Sequence, residues 1–121
     1  MATVLYADDV LKKESTKQEY ERMFSRRGHT LLTATDGEEA LELICQKSID
    51  LIFLDLNMPT LNGLQVLEEL KTKGMSIPVV ICSSNTRKEE LVREVGYDCI
   101  VGYCRTISGN EILRYLDESS D

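Results

Sequence analysis

Five short apolar runs recur along the chain at near-regular intervals: TVLYA (3–7), TLLTA (30–34), DLIFL (50–54), IPVVIC (77–82) and DCIVGY (98–103). Each is near-continuous rather than alternating, as expected of strands covered on both faces. The stretches between them carry apolar residues at helical spacing. These are Ala40, Leu41, Leu43 and Ile44 in 37–47, then Leu64, Val66, Leu67 and Leu70 in 63–73. Leu91, Val92 and Val95 follow in 86–95, where Thr86 is the expected cap with acids in the first turn, and Ile112, Leu113 and Leu116 in 108–117. Segment 10–27 is the least regular, anchored by Leu11, Tyr20, Met23 and Phe24. Gly28, Gly74 and Gly96 fall just past helix ends, where left-handed caps belong. The pattern is strand–helix repeated five times, which predicts an α/β fold with a parallel sheet between two helical layers.

Charge narrows the partners. Lys and Arg number 14 against 21 Asp and Glu, a net charge of −7, so a basic grip on nucleic acid or an anionic membrane is excluded for this domain. The 121 residues suffice for one domain with its own core, with 117–121 as a tail or linker stub. Four cysteines (45, 82, 99 and 104) form no CxxC pair, and His29 stands alone, so a structural zinc site is not indicated. Cys82 and Cys99 sit in apolar runs as small core residues. No leader peptide is read at the N-terminus and no apolar run approaches the roughly 20 residues of a membrane span. The expectation is a reduced, cytoplasmic domain.

In open α/β sheets ligands gather beyond the carboxyl ends of the strands. Those ends carry Asp8 and Asp9, Asp36, Asp55, the run Ser83–Ser84–Asn85, and Tyr103–Cys104–Arg105. Asp36 reads first as a helix cap, and Asp8 and Asp9 taken alone are compatible with capping or with ligation. If strands 1 and 3 are neighbours, three carboxylates crowd together and repel one another. A divalent cation relieves that repulsion, and an all-oxygen donor set suits Mg²⁺.

The motifs ADD (7–9), ATDGEEAL (34–41) and LDLNMPTLNG (54–63), with Ser83 after strand 4, resemble the receiver domain of bacterial response regulators. The resemblance spans nearly the whole chain. It implies the flavodoxin-like doubly wound fold, five parallel strands in the order 2-1-3-4-5 with five helices; that order comes from the resemblance and not from the spacing. It implies Asp55 as phospho-acceptor and Mg²⁺ held by Asp8, Asp9, Asp55 and the backbone carbonyl of Asn57. Ser83 would hydrogen-bond the phosphoryl group, small Ser84 would leave room for the donor, and Pro59 and Gly63 would shape the turn. The implied partners are a sensor histidine kinase or phosphotransfer protein, and an output domain or protein on the helix 4–strand 5–helix 5 face. The domain would be a monomer or weak dimer.

One part of the family pattern is absent. Receivers carry a lysine at the end of strand 5, yet the last lysine here is Lys88. Aligned with the family pattern, Tyr103 takes the lysine position, Cys104 that of the proline that usually follows, and Ile100 that of the switching aromatic. Arg105 and Arg87 are the cations nearest to that edge in sequence. A degenerate receiver that binds partners without phosphate is the closest alternative. A haloacid-dehalogenase-like phosphohydrolase is disfavoured by Asn57 where that family has a second acid, and a flavodoxin by the two aspartates after strand 1.

Overall fold

A computed structural model describes residues 1–105, 107, 111 and 114–116. Strands β1 (Thr3–Ala7), β2 (Thr30–Ala34), β3 (Leu51–Asp55), β4 (Val79–Cys82) and β5 (Ile100–Cys104) form one parallel sheet in the order β2-β1-β3-β4-β5. Helices α1 (Glu14–Ser25), α2 (Gly37–Gln46), α3 (Gly63–Thr72) and α4 (Lys88–Val95) connect them. Helical residues at 111 and 114–116 mark the fifth helix. The expected doubly wound architecture is therefore present, and it makes β1 and β3 neighbours. Ile112 and Leu113, two of the three apolar anchors expected for that helix, lie outside the described residues, as do 117–121.

The alternation of side chains across each strand divides the core into two layers. Leu5, Ala7, Ile52, Leu54, Val79 and Ile81 pack with Ala40, Ile44, Val66, Leu67, Leu70 and Val92 of α2, α3 and α4. Val4, Tyr6, Leu51, Phe53, Val80 and Cys82 pack on the other face with Phe24 of α1 and with Leu116. Cys99 packs against the first layer.

Element edges depart from the apolar runs for identifiable reasons. β4 begins at Val79 rather than at Ile77, because Pro78 has no N–H to give to the ladder. Ile77 is instead held by Tyr97, whose hydroxyl accepts from the Ile77 N–H at 2.9 Å and donates to its carbonyl at 2.6 Å. Segment 10–27 divides into a 3-10 turn, Asp9–Lys12, and α1, with extended Lys13 between them. α4 starts at Lys88, and Thr86 does not cap it. The N-cap position is Arg87, without a side-chain cap; in the turn before it Asn85 Oδ1 accepts from the Arg87 N–H at 2.8 Å, while Ser83 Oγ accepts from the Asn85 N–H at 3.1 Å. Gly28, Gly74 and Gly96 all have positive φ, as their positions past the helix ends require.

Candidate functional site

The site follows from the same alternation. Asp55 ends β3 two residues beyond Phe53, and Asp8 lies two beyond Tyr6, so both extend the side-chain row that faces α1. Because β1 and β3 are paired, the row ends converge. Ligand oxygens of Asp8, Asp9 and Asp55 lie within 4.8 Å of one another. Asp8 is fixed by the Tyr6 hydroxyl, which donates to Oδ2 at 3.2 Å, and by the Val10 N–H, which donates to Oδ1 at 3.0 Å. Asp8 thus caps the 3-10 turn and still faces the cluster. Asp55 Oδ1 accepts from the Asn57 N–H at 3.2 Å.

Partial burial pushes the Asp55 carboxyl up to about 7, and the charges of Asp8 and Asp9 add to the shift against the Asn57 N–H. Burial also raises Asp8, opposed by its bond from Val10. The Tyr6 phenol is raised by burial and then by Asp8, so it stays a donor to that carboxylate. Asp8 and Asp55, whose charge is this costly, and Asp9 beside them offer only oxygen and form a donor set that fits a hard divalent cation.

The turn after β3 is anchored at both ends. Asn62 and Gln65 form a capping box, the Asn62 Oδ1 accepting from the Gln65 N–H at 2.9 Å and Gln65 Oε1 from the Asn62 N–H at 2.8 Å. The Gly63 N–H donates to the Leu56 carbonyl at 3.0 Å. A side chain at Gly63 would meet the carbonyl oxygen of Asp55 and, at 2.8 Å, Cα of Leu56, so only glycine lets α3 start against the backbone of the candidate nucleophile. Thr60, with φ of 64°, joins the turn to α2 by accepting from the Glu38 N–H at 3.3 Å. Asp9, Asn57, Met58, Pro59 and Asn62 line a shallow depression above the acids.

Two of these contributions were not expected from the sequence. Asn62 and Gln65 have the spacing of a capping box, a signal that was there to find. Tyr6 looks like one more apolar strand residue, and only the alternation from Tyr6 to Asp8 points to its hydroxyl. Asp36 is the cap expected of it, accepting from the Glu39 N–H at 2.8 Å.

On the β4–β5 side, Asp55 pairs with Cys82, and Cys82 with Cys104. Ser83 follows Cys82, 2% exposed, and its N–H donates to the Cys104 carbonyl at 3.0 Å; Ser84 is exposed. A bulge interrupts the β4–β5 ladder, Val79 pairing with Ile100 but Val80 with Gly102. Ile100 and Tyr103 consequently pack on the same layer, that of α2 to α4. Tyr103 lies opposite Ile81, on the face away from Asp55, and burial raises its phenol with Glu89 adding to the shift. Exposed Arg105 follows Cys104 and so stands level with Ser83.

The sulfurs of Cys104 and Cys82 lie 3.2 Å apart, within thiol hydrogen-bond distance. Their contact raises the Cys82 thiol and lowers that of Cys104.

A parallel sheet of this order, with clustered acids at the carboxyl ends of β1 and β3, defines an open α/β domain whose site is suited to a cation and an anionic ligand. The family model "Response regulator receiver domain" matches residues 4–101. The chain belongs to the response regulator receiver domain family. It is 33% identical over 89 residues to response regulator MprA of Mycobacterium ulcerans, covering 74% of this chain and 37% of that protein. It is 36% identical over 70 residues to the regulator of RpoS of Escherichia coli K12, covering 58% of this chain and 21% of that one. The receiver domain of the Francisella response regulator 1452 shares the fold with a TM-score of 0.79 at 28% identity, over 98% of this chain and 96% of that one. The chain thus spans well under half the length of the two curated relatives it matches. Among the described residues no helix is long and apolar enough to cross a membrane.

Proposed function

We propose that the domain accepts a phosphoryl group on Asp55 from a phosphohistidine of a sensor kinase or phosphotransfer protein, and that the aspartyl-phosphate changes its affinity for an output partner. The observation that carries this reading is the convergence of Asp8, Asp9 and Asp55 within 4.8 Å at the open end of β1 and β3. A carboxylate oxygen of Asp55 attacks the phosphorus, a P–O bond forms, and the P–N bond to the donor imidazole breaks. Asp8, Asp9, Asp55 and the Asn57 carbonyl would hold Mg²⁺, which when bound neutralises charge as the two anions meet. Asp55 must be ionised to attack, and its carboxyl is pushed up to about 7 by burial and its acidic neighbours, so a cation held there would favour the charged form. Tyr6 and Val10 hold Asp8 in place, and Asn57 orients Asp55.

Arg105 is the cation best placed for the transferred group. It lies level with Ser83 just past the end of β5, whereas Arg87 is paired with Glu90 at 3.1 Å. Because a guanidinium on the loop after β5 replaces an ammonium at its end, coupling from the phosphate to the α4–β5 face would differ from that of other receivers. Self-dephosphorylation at Asp55 would be the only further chemistry. The rival, a phosphate-independent binding module, draws its support from the absence of any lysine after Lys88.

Incubation with acetyl phosphate, with and without Mg²⁺, tests the reading by intact mass. The expected result is the gain of one phosphoryl group that needs Mg²⁺ and is lost in Asp55→Asn. No gain, or a gain that survives that substitution, sinks it.

A further inference from the structure

We propose that Cys82 and Cys104 are a reversible disulfide site that ties β4 to β5 directly beneath Ser83. The two residues are register partners on neighbouring parallel strands. Paired strands run about 4.8 Å apart, within the Cα separations of roughly 4.4–6.8 Å that disulfides span. The sulfurs already touch at 3.2 Å, so bond formation closes a gap of about 1.1 Å to the usual 2.05 Å without moving a strand. The two sulfurs also differ in access. Cys82 is 3% exposed in the layer with Phe53 and Val80, while Cys104 is half-buried on β5, the edge strand.

That asymmetry sets the order of events with a peroxide as oxidant. The Cys104 sulfur attacks one peroxide oxygen; an S–O bond forms, the O–O bond breaks, and hydroxide leaves, taking the thiol proton as water. The Cys82 sulfur then attacks the sulfur of the Cys104 sulfenic acid. The S–S bond forms, the S–O bond breaks, and the departing hydroxide takes the Cys82 proton as a second water. Two thiols are oxidised and one hydrogen peroxide is reduced to two waters. A small dithiol reverses the bond by exchange.

The location gives the bond its consequence. Cys82 is paired with Asp55 and precedes Ser83, whose N–H already bonds the Cys104 carbonyl at 3.0 Å. A covalent tie at this rung fixes the spacing of β4 and β5 where the Ser83–Asn85 turn begins. Any effect on phosphotransfer rests on the reading of Asp55 above; the bond itself does not.

The test uses the full chain carrying Cys45→Ser and Cys99→Ala, so that only this pair remains, treated with hydrogen peroxide under native conditions. Expected are a monomer lighter by two hydrogens, restoration by dithiothreitol, and no such loss when Cys104→Ala is added. Slower hydrogen exchange of the Ser83 and Asn85 amides in the oxidised form is expected alongside. Oxygen addition without hydrogen loss, or crosslinking only between chains, overturns the site; unchanged exchange at Ser83 and Asn85 overturns the clamp. Circular dichroism of the Cys104→Ala chain confirms that it is folded. If the bond forms but acetyl phosphate labels neither redox form, the assignment of Asp55 fails while the disulfide site stands.

Discussion

Asp55→Asn in the metal-free protein is expected to be more stable than the parent at neutral pH and to lose that advantage in acid. In the folded state the Asp55 carboxyl is held up to about 7, first by burial and then by Asp8, against an ordinary value of 3.8. Between those two pH values the folded chain keeps a proton that the unfolded chain has released. Stability therefore falls as pH rises across that window, is constant above it, and carries no penalty below about 4. The full displacement corresponds to about 4 kcal/mol at roughly 1.4 kcal/mol per pH unit. Asp55 is only half-buried, and solvent screening brings the expectation to about 2 kcal/mol. The substituted amide cannot titrate, so of this pair the variant should retain only the slope of Asp8, which burial also raises. Urea unfolding in EDTA from about pH 4.5 to 8.5 measures the difference, whose sign and growth with pH are the signature. A gap between parent and variant that stays constant over that range would refute the view that Asp55 is strained by burial and by its acidic neighbours.

Mg²⁺ at about a hundred times its dissociation constant should stabilise the parent near neutral pH by about 2.7 kcal/mol, and removal with EDTA should reverse this; a full effect in Asp9→Asn would show that the acids are not its ligands. Gly63→Ala drives a methyl into the Asp55 carbonyl and Leu56, and should cost about 2 kcal/mol in urea unfolding while slowing acetyl phosphate labelling. Asp36→Ala removes only the α2 cap, and should cost about 1 kcal/mol with labelling unchanged. Arg105→Ala should slow labelling about tenfold, the weight of one charge-assisted hydrogen bond, whereas Tyr103→Phe should leave the rate alone. The reverse ranking would return the role to Tyr103.

How far the sequence could be read depended on whether a signal was local. The runs at 3–7 and 30–34 became β1 and β2 unchanged, because their flanks carry no competing backbone demand. Asp36 was legible as a cap because capping needs only the few residues that follow it. The acidic cluster needed one non-local fact, that β1 lies beside β3, and alternation then brought Asp8 and Asp55 to one face. Thr86 failed as a cap because the chain stays in a turn through Arg87, whose N–H is held by Asn85, and α4 begins only at Lys88.

Strand 5 shows what counting residues cannot supply. Side chains in a strand have a period of two, so one extra residue sends everything after it to the other face. The bulge between the Val79 and Val80 rungs does this to β5: Ile100 and Tyr103, three apart, share a layer that an unbroken strand would have denied them. An ungapped count places Tyr103 on the face of Asp55; the ladder places Cys104 there, in one row with Asp55 and Cys82. The same extra residue thus removes a phenol from the acidic site, puts Arg105 level with Ser83, and brings two thiols into contact. The displaced phenol and the sulfur pair beneath Ser83 are two consequences of one bulge, whereas the missing charge is set by the lack of any lysine after Lys88. Deleting Val101, the residue the ladder skips, is therefore expected to leave Cys82 opposite Cys104 in an unbroken ladder and to preserve their peroxide-driven pairing. A Val101-deleted chain that folds but no longer forms the bond would show that Val101 is not the extra residue of this ladder.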